Sequence, residues 1–235
     1  MTDTDLDDEA KPETRRARQR RELLVEITDE ARRLLETGGT AAVSWRAIAR
    51  AVGLSPASLY TYFDSLDELF TELLLQSYGR LAAAVEAAVG AFADAQPGDR
   101  LLVGPLAYRS WALANRGQFN LIFTDQLPGY VAKPGGPTVE AQVAIFRPMI
   151  AVLAEHPESD SGQSAVKMPD ADREADVGFW AVFHGLTTLE VNHHLDWTDA
   201  PQIFETQVRW FIEQRGLPSA SEGLVERFTD WSQNT

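Results

Sequence analysis

The chain contains no cysteine among its 235 residues, so disulfides, thiolate catalysis and cysteine-ligated zinc are excluded. Histidine is scarce, with four, and methionine stops at three. Lysine is rarer still: 18 of the 21 basic residues are arginine. No nucleophile–base pair and no glycine loop fit to cradle phosphate can be found. Long hydrophobic runs are missing. The most apolar stretch, Leu81 to Ala93, is interrupted by Glu86 and falls short of the roughly 20 residues that span a bilayer. The first residues are acidic and polar, without the apolar centre of a signal peptide. A soluble cytoplasmic protein with no membrane contact is therefore expected, with no cofactor. Alternating runs fit for strands are absent, as is any internal repeat, which leaves an all-α chain. Its length allows one large helical domain or two small ones.

Net charge is −14, a poor balance for a partner of nucleic acid until it is divided by position. Residues 1–13 carry six acids and one lysine, net −5. Residues 14–63 carry nine arginines against five acids, net +4. Residues 64–235 carry eleven basic and twenty-four acidic groups, net −13. Positive charge is thus confined to one short segment, as a phosphate-binding surface requires. The acidic remainder would orient that segment toward a polyanion, or would simply keep the chain soluble.

Residues 42–73 read AVSWRAIARAVGLSPASLYTYFDSLDELFTEL. Ser44 sits where an N-cap belongs, and Ile48 and Val52, with Ala47 and Ala51, follow as an apolar stripe at helical spacing. Gly53 comes next, where a left-handed residue lets the chain reverse. Ser55-Pro56 restarts a helix, the serine capping and the proline occupying a first position that needs no amide. Hydrophobic staples pair Val43 with Ile48 and Leu54 with Leu59, and Ser65-Leu66-Asp67-Glu68 is a capping box that opens a further helix. Helix, tight glycine turn, helix is the pattern of a helix-turn-helix, whose second helix enters the DNA major groove.

This stretch resembles the DNA-binding domain of the TetR family of bacterial transcriptional regulators. The matching residues are Ser44, Ile48-Ala49, Gly53-Leu54-Ser55, Leu59-Tyr60-Thr61-Tyr62-Phe63 and Ser65 to Leu69. One departure is Leu66, where the family usually has a lysine on a DNA phosphate. The resemblance implies that Tyr60 and Tyr62 give their hydroxyls to phosphates and that Ser44, Trp45 and Arg46 meet the DNA backbone. It also implies that basic residues just before the first helix, including Arg15, Arg16 and Arg18, form an arm reaching the minor groove or backbone. A solvated charge run is the alternative for that arm, and a half-buried core tyrosine the alternative for Tyr60. The recognition helix is expected over Pro56 to Phe63, anchored by Leu59 and Phe63. Ser55 caps it, and Ala57, Ser58 and Thr61 face outward, small enough to approach base edges and thymine methyls. With no arginine or asparagine on this helix, sequence preference would lean on Arg46, the arm and DNA shape.

Around this motif the pattern predicts a disordered acidic tail over 1–13 and a DNA-binding domain over 14–63. Its first helix carries a core face of Leu24, Ile27, Ala31, Leu34 and Leu35 and ends at Gly38-Gly39. A larger helical domain over 64–235 would hold the effector and the dimer contact. It opens on a helix from Leu66 to about Ala93, with Phe70, Leu74, Leu81, Val85 and Phe92 along one side. Further helices are expected near 99–116, 118–126, 138–155, 170–195, 201–215 and 220–232. Gly178 to Leu186, GFWAVFHGL, is similar to the Trp…His-Gly signature of one type of TetR C-terminal domain, and Asn115 to Phe123 to the segment preceding it.

Tyr108, Trp111, Phe119, Phe123, Trp180, Phe183 and His184 are the candidate walls of a pocket for a small, mainly apolar effector, with one polar or anionic group. Ordinary core packing is the alternative for each ring, and a buried hydrogen bond between helices the alternative for His184. Arg109 and Asn120 are polar groups nearby in sequence. Gly185 inside a helix costs roughly 1 kcal/mol relative to alanine, so a partner helix or a ligand must need the space. Glu190 and His193 share the spacing of a di-iron bundle ligand pair, but no second copy exists, which argues against a metal. Phe179, Ile203, Phe204, Val208, Phe211 and Ile212 are candidate dimer contacts, because helices apolar on more than one side need a second partner. The expected function is a homodimeric repressor on a palindromic double-stranded operator, released by its effector. The alternative is a ligand-binding protein or enzyme of the same fold whose DNA binding has lapsed.

Overall fold

The computed structural model describes residues 14–125, 136–155, 171–214 and 216–235, with backbone alone for 171–176. The expected acidic tail and the proline- and glycine-rich breaks around 128–135 and 156–169 lie outside these residues. Eleven α-helices and no strand occur among the described residues. The chain divides after Leu69 into two compact units.

In the first unit α1 (Arg15–Gly38) starts where the Thr14 hydroxyl accepts a hydrogen bond from the Ala17 amide. The arginines expected to precede this helix therefore form its first turns. Ile27, Ala31 and Leu35 are fully buried, while Leu24 and Leu34 lie at the edge of the core. A short 3-10 turn, Thr40–Ala42, leads to α2 (Trp45–Val52). Its buried face is Ile48 and Ala49 with half-buried Val52; Ala51, expected on this face, is exposed. The face is rotated by one residue because Leu59 and Phe63 complete the core from the next segment.

α3 is only Pro56–Leu59, shorter than expected. Beyond it Thr61 and Tyr62 donate to Ser58 and Leu59 carbonyls three residues back, and Phe63 donates to Leu59. The turn tightens to seat Phe63 in the core.

α4 (Leu66–Ala91) opens on the forward half of the expected capping box, the Glu68 amide donating to Ser65 Oγ, while the Glu68 carboxylate reaches one residue further and accepts from the Asp64 amide instead of that of Ser65. Its first turn belongs to the first unit and the rest to the second. In that second unit α5 (Pro97–Ala114) is the central helix, packed against α8 (Arg147–Ala154), α9 (Ala171–Val191), α10 (Ala200–Gln214) and α11 (Leu224–Gln233). It is buried nearly all round, through Leu101, Leu102, Val103, Leu106, Tyr108 and Ala112, as a helix with neighbours on every side must be. Gly98 permits one close approach, since a Cβ there would overlap the Pro218 carbonyl oxygen. The buried Asp99 carboxylate completes the contact, accepting from the Ser221 amide and hydroxyl at 2.5 and 2.8 Å.

Two helix boundaries differ from expectation for identifiable reasons. The helix expected over 138–155 is two, α7 (Pro137–Ala144) and α8, bent by 54°. Pro148 lacks an amide and its ring clashes with the carbonyl four residues back, on Ala144, where α7 stops. α9 ends at Val191 rather than 195, because His193 takes a left-handed φ of 64° and the His194 amide closes onto the Leu189 carbonyl, the geometry of a C-terminal cap. α6 (Arg116–Phe123) follows α5 and precedes the undescribed residues 126–135. No single helix among the described residues is long and apolar enough to cross a membrane.

Candidate nucleic-acid interface and ring cluster

The serine caps do what their positions require. Ser44 Oγ accepts from the Ala47 amide at 3.3 Å, and Gly53 has φ 71°, with the Leu54 amide donating to the Ala49 carbonyl. Ser55 Oγ accepts from the Ser58 amide at 3.1 Å and lies 2.7 Å from Ser58 Oγ. Thr61 Oγ1 donates to the Ser58 carbonyl at 2.7 Å. One of the two serine hydrogens is spent between the hydroxyls, which leaves the other for an outside acceptor.

Ser55, Ala57, Thr61, Arg46 and Tyr60 are exposed, and Ser44, Ser58 and Tyr62 half-buried. Tyr60 is 54% exposed, so it is not a core tyrosine. Half-buried Trp45 supports it, their ring centroids 5.6 Å apart, and also lies 6.4 Å from Phe63. Arg15, Arg16 and Arg18 are exposed on the first turns of α1, and the first turn itself holds no acidic residue. Cations there are opposed by the positive end of the helix dipole, so a nearby anion would stabilise them.

In the second unit the aromatic candidates gather from three helices. Tyr108 of α5, Phe119 and Phe123 of α6, and Phe183 and His184 of α9 make ring contacts with centroids 4.7–6.2 Å apart. Trp180 joins through His184 at 5.2 Å, and Phe146 joins Trp180 at 5.4 Å. Trp111 makes no ring contact with this group among the described residues; it is half-buried elsewhere on α5. Tyr108, Phe119 and Phe183 are fully buried, whereas Phe123, Trp180 and His184 are partly exposed. Tyr78 of α4 touches the cluster, its ring 6.0 Å from Phe123 and its hydroxyl donating to the Ile122 carbonyl at 3.0 Å.

The Tyr108 hydroxyl lies 2.8 Å from His184 Nδ1. Burial raises the phenol's pKa and pushes the imidazole down to about 4, so both groups are neutral at cellular pH. The indole N–H of Trp180 is buried without a well-aligned hydrogen-bond partner among the described residues; its nearness to the Tyr108 oxygen offsets part of the burial effect. We therefore assign Tyr108 as donor to Nδ1, with the imidazole hydrogen on Nε2, facing Thr188 Oγ1 at 3.5 Å.

Other polar candidates are already committed. Arg109 and Glu190 form a two-pronged ion pair at 2.5 and 2.6 Å, both side chains mostly buried. Asn120 pairs with Asn192 through both amides. The Glu190 carboxylate is thus held by Arg109 rather than paired with His193, whose Nδ1 lies 3.0 Å from Asp196.

The candidate dimer contacts need correction. Phe204, Val208 and Ile212 repeat every four residues on α10 and are at most 1% exposed within a single protomer, and Phe179 is 5% exposed. They form the inner face of α10 and α9, so a second copy cannot bury them further. Ile203 and Phe211 are half-buried, with Phe211 stacked on Phe179 at 4.9 Å. On α9 and α10 the exposed large apolar side chains are instead Val177, Leu189 and Trp210, and Trp197 between the two helices is more exposed still. Between the first two, Ala181 is exposed and a Cβ on Gly185 would meet nothing within 4 Å. Gly185 therefore answers no crowding within the protomer.

Comparison with known proteins gives two family matches. Residues 27–73 match the family of bacterial regulatory proteins of the tetR type, and residues 105–211 match a tetracyclin repressor-like C-terminal domain. The chain belongs to the TetR family. The HTH-type transcriptional regulator Rv1816 of Mycobacterium tuberculosis (strain ATCC 25618 / H37Rv) is 35% identical over 115 residues, 49% of either chain. The chain thus spans about half the length of the curated relatives it matches. Among solved structures, SCO4313, described as a regulatory protein, is similar with a TM-score of 0.68 and 29% identity, over 85% of this chain and all of that one. PfmR of Thermus thermophilus, a TetR family transcriptional regulator, shares the fold, with a TM-score of 0.52 and 22% identity over 80% and 96% of the two chains.

The chain thus has the fold and domains of a TetR-family transcriptional regulator, with a helix-turn-helix of that type, and its relatives are named as regulators. Two contacts in this TetR-type chain escaped sequence reasoning. Arg20 reaches the Thr61 carbonyl across 41 residues, and Tyr108 meets His184 across 76; no local spacing encodes either pair.

Proposed function

We propose that the chain is a homodimeric repressor that binds a palindromic operator and leaves it when a small, mainly apolar effector enters the ring cluster. The observation that carries this is the exposed positive charge of Arg15, Arg16 and Arg18 in the same compact unit as a capped, exposed reading turn. DNA phosphates would supply a counter-charge for these arginines, in competition with the acidic residues 1–13. Arg46 and the hydroxyls of Tyr60 and Tyr62 flank the turn as backbone contacts, while Ala57, Ser58 and Thr61 face the bases. The cytoplasm, where the operator lies, is the site of action.

The effector is neutral. His184 is held uncharged and Arg109 is already neutralised by Glu190, so an anionic group would find no free cation among the described members of the cluster. An apolar lining with a few placed polar groups is the usual composition of a small-molecule pocket, and the buried Trp180 N–H beside the Tyr108 oxygen is one such group. Separation of Phe123 from its neighbours would displace Tyr78, which belongs to α4. That helix then carries the change toward the reading turn, and the ligand shifts the population away from the DNA-competent form. For the dimer, the outer α9 stripe of exposed Val177, Ala181 and Leu189 with half-buried Gly185, together with Trp210 of α10 and the half-buried Ile203 and Phe211, replaces the buried inner-face residues.

A gel shift with the chain's own promoter, run across salt concentrations, tests the proposal. Selective retention over unrelated DNA, steeply weakened by salt and reversed by a neutral apolar compound, is expected. Equal retention of any DNA, or none, would overturn it.

A further inference from the structure

Arg20 is set apart from the other arginines of α1. Its Nη1 donates to the Thr61 backbone carbonyl at 2.7 Å, and its guanidinium carbon stands 5.2 Å from the Tyr62 ring centroid. Thr61 lies in the tight turn that ends the reading segment, where carbonyls are left without helical partners. A cation at that end also complements the local dipole. α3 itself has only four residues, far too few to hold its shape without tertiary support. A guanidinium over an aromatic face restrains the ring beneath it.

We propose that Arg20 is a positioning residue for DNA recognition. It ties α1 to the end of the reading turn and fixes the Tyr62 ring, so that the arginine-bearing turns and the reading turn meet DNA as one body. Arg15, Arg16 and Arg18 act by neutralising phosphates; Arg20 acts through Thr61 and Tyr62. The proposal rests on the DNA-binding reading above. It differs from that reading in what it demands: removing Arg20 changes geometry rather than the number of phosphates neutralised.

Two measurements on the full-length protein separate these roles. Amide hydrogen exchange between Leu59 and Phe63 should quicken in Arg20→Gln, while the melting temperature moves little, because the side chain is exposed. On a DNA fragment selected by the parent from a random pool, Arg20→Gln should bind about tenfold more weakly, because a turn left mobile in the free protein must then be ordered on binding. Its salt dependence should match the parent, whereas Arg16→Gln should lower the salt slope by about one. Arg20→Lys, which retains the charge and a donor but not the flat stacking group, should restore only part of the affinity. Unchanged exchange in Arg20→Gln would overturn the proposal, and so would a salt slope reduced like that of Arg16→Gln. If the parent selects no DNA, the functional reading fails by itself, and the exchange measurement still decides whether Arg20 orders the turn.

Discussion

Tyr108 and His184 are hydrogen-bonded at 2.8 Å inside a cluster of rings, joining the central helix α5 to α9. Each neutral group depends on the other: the phenol has a buried hydrogen to donate, and the imidazole a buried nitrogen to accept it. Removing the donor in Tyr108→Phe leaves Nδ1 unpaired, at a cost of about 2 kcal/mol. A urea melt should show it. An unchanged midpoint would mean that the nitrogen finds water instead.

Stability should also depend on pH through His184. Its pKa is pushed from the ordinary 6.5 to about 4 in the folded chain, so between these values the unfolded state binds more protons. The stabilisation is complete above about pH 6.5 and is lost as pH falls toward 4, amounting to about 2 kcal/mol once partial exposure is allowed for. His184→Gln, which retains a donor and an acceptor, should lose less stability than the parent between pH 7 and pH 5. Parallel losses would contradict a depressed pKa.

Packing at the start of α5 leaves no room for a methyl group. A Cβ on Gly98 would overlap the Pro218 carbonyl oxygen, and backbone cannot yield as a side-chain tip does. Gly98→Ala should therefore cost about 3 kcal/mol, read as a lowered melting temperature. Gly185→Ala, where nothing lies within 4 Å, should leave the protomer's own fold intact.

The two faces of α9 and α10 should respond differently to charge. Gly185→Glu is expected to convert a dimer to folded monomers in sedimentation at micromolar concentration. Phe204→Glu buries an unpaired carboxylate in the core and should instead unfold the chain, by more than about 3 kcal/mol. A folded Phe204→Glu monomer would place the interface on the inner face after all.

What is legible in the sequence is local. Ser44, Gly53, Ser55-Pro56 and the Ser65–Glu68 box act within four residues of themselves, and each cap or turn stands where its spacing puts it. The long helices follow from periodicity. Periodicity does not say which apolar stripe turns inward, and for that reason Phe204, Val208 and Ile212 read as partner contacts although they are core. The rings of the candidate pocket can be named from the sequence but not grouped, since Trp111 and Tyr108 share a helix and only tertiary packing separates them. Arg20 is hidden in a run of similar arginines, its role set by a residue 41 positions away.

Selection from a random pool of double-stranded DNA tests the central claim most directly. The full-length protein should enrich one sequence with twofold symmetry, and Tyr62→Phe should retain the fold and the preference while binding more weakly. A pool left unenriched after repeated rounds, by a protein that is folded and free of contaminating nucleic acid, would contradict the claim that this chain is a sequence-specific regulator.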